Sequence, residues 1–127
     1  MNNGDCSKSR TYKFEAPGVS EHSIYLIIVG DDGPMQLFIN SKEMESFQWI
    51  TAAMTAYSRA LQSGVDITEI LKDMKGIFDP NGSYVLTDGT NRQVHSVVHH
   101  IALLIEKHIA EEALQELSDQ AQELGID

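Results

Sequence analysis

Histidine is the residue type best placed in this chain to bind a metal or move a proton, and four of the five histidines fall between His95 and His108. His95 and His99 stand four residues apart, the spacing at which two imidazoles on one helix face share an ion. A helical pair still needs a third ligand. Glu106 lies eleven residues beyond His95, about 16 Å further along a helix axis, so one helix cannot close the site. Ser96, Val97 and Val98 separate the pair, so the glutamate base of an HEXXH helix is absent. His95 and His99 are the metal candidates, with His100 and His108 nearby. Surface or interface positions account for all four, and neither a metal nor a cofactor is expected.

Carboxylates occur at Asp31-Asp32, Glu43, Glu45 and Asp79. Local turn and cap roles explain each of them, which leaves no acid and base pair for hydrolysis. Phosphate loops of the GxGxxG or Walker kind are missing, and no GxSxG surrounds a serine. Cys6 is the single cysteine, so no intrachain disulfide is possible, and no base is fixed beside it to make a nucleophile. No catalytic residue is therefore assigned. Binding is what remains: DPNGSY, residues 79–84, is a turn or else a recognition loop presenting Asn81 and Tyr84 beside Trp49. The ligand or partner candidates are Lys42, Trp49, Asp79, Asn81 and Tyr84.

The elements that would position these residues follow from periodicity. Residues 1–10, MNNGDCSKSR, are polar and aperiodic and read as a flexible arm, with order beginning at Thr11. TYKFEA alternates as a half-buried strand until Pro17-Gly18. HSIYLIIVG, residues 22–30, is β-branched and aromatic without alternation, the pattern of a central strand covered on both faces. Asp31-Asp32-Gly33-Pro34 turns the chain into a second strand, Met35 to Asn40, making a hairpin.

FINSKEMESFQWI, residues 38–50, then passes from strand to helix. Asn40 is expected to cap and Glu43 to close a capping box, with Ser41 as the other possible cap. Met44, Phe47, Ile50, Met54, Tyr57 and Leu61 make the apolar stripe of a helix over residues 41–63. Trp49 lies off that stripe and either widens the buried face or stands as an exposed contact. Asp66 to Glu69 repeats the cap before a short helix ending at Gly76. Asp79 to Gly82 is a tight turn, and Tyr84 to Leu86 an edge strand. From about Asn91 a helical signal runs to about Leu124. Its first half is buried through Val94, Val97, Val98, Ile101, Leu104 and Ile105. Its second half, with Leu114, Leu117 and Leu124, is expected to project and pack on another chain.

The fold class is accordingly α+β, a small antiparallel sheet packed against two longer helices and one short one. The divisions expected are an arm at 1–10, one domain at 11–109 and an acidic helical extension at 110–127. Of 127 residues, 42% are hydrophobic and 22% charged, ordinary for a single folded domain. A net charge of −10 argues against tracking nucleic-acid phosphates. The longest apolar run, Ile24 to Val29, is too short for a membrane span, and no signal peptide is expected before it. A cytoplasmic location is expected.

Several blocks carry a resemblance in their order along the chain: Ala16-Pro17-Gly18, FINSKEMESFQWI, GVDITEILKDMKGIFDPNGSYV and HHIALLIEKHI. Over residues 11–109 they resemble the TSCPD-type domain near the C-terminus of adenosylcobalamin-dependent (class II) ribonucleotide reductases, a domain that also occurs as small stand-alone proteins. In those enzymes a barrel domain holds the radical cysteine and cobalamin, and a Cys-rich segment handles reduction. Neither the TSCPD signature nor the Cys-rich extension has a counterpart in this sequence, where EEALQELSDQAQELGID stands instead. With Cys6 alone, no thiyl radical with its reducing dithiol is possible. The resemblance thus implies a non-catalytic accessory or regulatory role in deoxynucleotide synthesis, exercised on a ribonucleotide-reductase-type partner. Two other roles are open. One is a nucleotide-binding module in which Trp49 and Tyr84 stack a base and Lys42 meets phosphate. The other is a homo-oligomer formed through the C-terminal helix.

Overall fold

The computed structural model describes residues 8–30, 34–43 and 47–125. Alternation in the N-terminal third builds an antiparallel sheet of order β1-β2-β3, from β1 (Ser9–Phe14), β2 (Ile24–Val29) and β3 (Gln36–Ser41). The strand β1 begins two residues before Thr11, because Ser9 and Arg10 pair with Val29 and Ile28. Cys6 and Asp31 to Gly33 lie outside the described residues. β2 is central, as its sequence predicts, but it is not covered on both faces. Ile24, Leu26 and Ile28 are buried, whereas Tyr25 is exposed and Ile27 and Val29 are half-buried. An apolar run need not mean two covered faces when the helices that bury one face leave the other open.

The strand-to-helix corner corrects the expected capping box. Asn40 belongs to β3 and pairs with Tyr25, so the ladder claims its backbone. The helix α1 runs Gln48–Gln62, with Phe47 at its N-cap and no side-chain cap bond. Ser41 Oγ accepts from Glu43 N at 3.1 Å, and Glu43 O from Phe47 N at 3.0 Å. These bonds make a turn that carries the chain from strand to helix. Met44 and Glu45 lie outside the described residues. Phe47, Ile50, Met54 and Leu61 are buried as expected. α1 also engages the free edge of β3 at one point: the Leu37 amide, pointing away from β2, donates to Ser58 Oγ at 2.8 Å.

The helix α2 (Ile67–Lys75) is capped by Asp66 and ends at Gly76, both as read from sequence. The cap bond goes to Thr68 N. The turn at Asp79 is also present: Asp79 Oδ1 accepts from Asn81 N, and Asp79 O from Gly82 N. A second, two-stranded sheet follows, β4 (Tyr84–Val85) against β5 (Gln93–Val94). This corrects the expected helix start near Asn91. Asp88 holds Thr90 through a side-chain turn, and Asn91 adopts φ +59°, which returns the chain antiparallel to β4. Val94 is buried, but on a strand.

The long helix α3 then runs Val97–Glu123, its N-cap Ser96 accepting from His99 N and donating to Ile77 O. One core joins the inner face of the three-stranded sheet to α1, α2, Tyr84, Leu86, Val94 and α3 as far as Ile105. Beyond that core Leu114, Leu117 and Leu124 stand 66%, 62% and 74% exposed. No helix among the described residues is long and apolar enough to cross a membrane.

Candidate functional site

The histidines are distributed by the fold rather than gathered. His95 precedes α3 instead of lying on it, because Ser96 is the cap. It is therefore not one turn from His99 on a common helix face. Their rings approach to 5.0 Å, yet the His95 amide donates to His99 Nδ1 at 3.0 Å, so that nitrogen is already occupied. Among the described residues no three His, Cys, Asp or Glu side chains gather within reach of one ion.

His100 and His108 are buried, and each meets a tyrosine from a different sheet. Tyr84 OH lies 2.7 Å from His100 Nδ1. That hydroxyl has no other partner among the described residues, so it donates, and we assign the His100 ring proton to Nε2. Tyr12 OH donates to Glu111 Oε1 and lies 3.0 Å from His108 Nδ1. A hydroxyl has one proton, so here the imidazole is the donor and the tautomer is the opposite one. Burial pulls the pKa of His100 down to about 4 and lowers those of His99 and His108. All three rings are thus neutral at pH 7. Burial, with help from the Glu111 carboxylate, pushes Tyr12 up to about 12.

The other candidates from sequence separate. Trp49 stands on the first turn of α1, 50% exposed. Lys42 is exposed and lines a polar cleft with His22, Tyr25 and Asn40. Asp79 and Asn81 form the turn before β4, anchored by the Asp79 amide to His95 O. Tyr84 is buried with its hydroxyl on His100, so its ring is not presented for stacking with Trp49. Beside the turn, Phe78 is 65% exposed and packs on the His95 ring.

The fold also makes a cleft of about 490 Å³ between β1, the 86–92 loop and α3. Lys13, Arg92 and Lys107 line it, three of the nine basic residues of the chain. They come from three separate elements, so no local motif announces the group. The signal available in sequence was a shortage: with so few cations, the placement of each one matters.

The span matched by a known family agrees with this architecture. A family model described as the TSCPD domain matches residues 5–109, which take in both sheets, α1, α2 and the buried half of α3. No curated protein and no solved structure matches the chain. The matched span is most of the sequence, and the chain belongs to the TSCPD domain family, a domain found in class II ribonucleotide reductases.

Proposed function

We propose that the protein is a non-catalytic accessory or regulatory domain that docks on a ribonucleotide-reductase-type partner and acts in deoxynucleotide synthesis in the cytoplasm. The observation that carries this reading is the family match over residues 5–109 in a chain whose single cysteine cannot supply reductase thiol chemistry. Exposed contact residues support it. Trp49 on α1, Phe78 beside the Asp79 to Asn81 turn, and Lys42 are surface side chains that neither the core nor a cap employs. Large aromatic residues in such positions dominate protein interfaces. The test is a pull-down of the purified chain against a class II reductase, with reductase turnover measured as the chain is added. Co-purification that Trp49→Ala weakens about tenfold is the expected result. No complex and no change in turnover would overturn the reading.

A second reading, self-association through α3, is favoured by one observation. Ala110, Leu114, Leu117, Ala121 and Leu124 repeat at alternating steps of four and three, a coiled-coil seam exposed along the projecting helix. Glu112, Glu116, Asp119 and Glu123 fall away from that seam, so a second copy would meet little like charge.

A further inference from the structure

The cleft between β1, the 86–92 loop and α3 combines three features that structural roles do not absorb. Its cations are unpaired. Among the described residues Lys13, Arg92 and Lys107 form no ion pair, although the chain carries a net charge of −10. The two carboxylates in the lining, Glu15 and Asp88, are engaged locally, Glu15 by Ser23 Oγ and Asp88 by Thr90. The cleft has an apolar wall as well, with Leu86, Leu103 and Leu104 lining it between the charged residues.

Its third feature is a buried donor. His100 is 93% buried and lines the cleft, and Tyr84 occupies its Nδ1. Its Nε2 has no hydrogen-bond partner among the described residues and is not among the fully enclosed unsatisfied atoms, so it reaches open space. The ring lines this cleft. A neutral imidazole N–H and three ammonium and guanidinium groups outnumber the two carboxylates of the lining, whose oxygens already accept from Ser23 and Thr90, and this excess of donors favours an acceptor-rich anion. The volume falls in the range of small-molecule sites.

We propose that this cleft binds a small organic phosphate: Lys13, Arg92 and Lys107 hold the phosphoryl oxygens, His100 Nε2–H donates to one of them, and the leucine wall takes the apolar body. Phosphate is favoured over a single carboxylate because three cations from three elements surround a dianion better than a monoanion. The cleft is separate from the exposed docking residues, since Lys42, Trp49, Phe78, Asp79 and Asn81 do not line it and Tyr84 meets it only through His100.

Phenyl phosphate is the probe, titrated into the full chain at low salt and pH about 7 while the His100 ring and Leu104 methyl resonances are followed by NMR. Saturable shifts at both residues are expected, with binding about tenfold weaker in Arg92→Gln and in Lys107→Gln. Both side chains are exposed, so these variants fold. Inorganic phosphate and benzoate are each expected to bind about tenfold more weakly, the first lacking the apolar body and the second the dianion. The proposal is overturned by absence of a saturable His100 shift, by equal affinity in the two variants, or by benzoate or inorganic phosphate binding as tightly as phenyl phosphate.

Discussion

Each buried histidine owes its state to one neighbour. Tyr84→Phe leaves Nδ1 of the buried His100 without its donor, so a loss of about 1–3 kcal/mol is expected in urea unfolding. Tyr12→Phe removes a hydroxyl that serves His108 and the partly exposed Glu111, and about 1 kcal/mol is expected. The pH response follows from His100. Its folded pKa, about 4, lies below the 6.5 it recovers on unfolding. Between these values the unfolded chain binds more protons, so stability is complete above pH 6.5 and is lost as pH falls toward 4. His99 and His108, shifted the same way by burial, steepen the loss. Asp66 and Asp88 are held below 3.8 by their bonds to Thr68 and Thr90, and they respond at lower pH. A urea midpoint unchanged between about pH 7 and about pH 5 would contradict this account. Neither tyrosine–histidine pairing was legible in sequence, because the partners stand 96 and 16 residues apart on different elements and no local pattern joins them.

At the scale of elements, local chemistry was readable where nothing competed with it. Asp66 caps α2 as its sequence predicts, since no strand claims that residue. Asn40 and Glu43 spell an equally good cap, yet Asn40 is taken by pairing with Tyr25, and long-range register overrode the local signal. The start of α3 was misread for a related reason. Val94 fits helical spacing with Val97 and Val98, but a buried strand residue also satisfies a stripe one turn long. Two substitutions separate the expected cap from the observed one. Ser96→Ala removes the α3 cap and the bond to Ile77 O, and about 1–3 kcal/mol is expected to be lost. Asn40→Ala, exposed and capping nothing, is expected to stay within about 0.5 kcal/mol. Denaturant midpoints of the two variants check both, and a larger loss for Asn40→Ala would restore the capping box.

For the whole molecule, α3 is both a core element and a projection. Its first three turns close the core through Ile101 and Ile105, while its last turns carry the exposed leucines. Truncation after Ile109 is therefore expected to leave the core folded by circular dichroism and, where two copies associate through the seam, to halve the mass measured by light scattering. A chain that is monomeric before truncation would remove the self-association reading. The α+β class and the C-terminal reach of α3 were legible because periodicity reports burial directly. The cleft was not, since Lys13, Arg92 and Lys107 meet only after β1, the 86–92 loop and α3 have packed.

The contact of Ser58 with the Leu37 amide has a consequence for assembly in bulk. Because the Ser58 hydroxyl holds the Leu37 amide on that side of the three-stranded sheet, a strand adding to β3 would first have to displace it. Strand addition at β3 therefore begins with the loss of a hydrogen bond. That loss raises a local barrier to open-ended growth from the β3 side of this sheet.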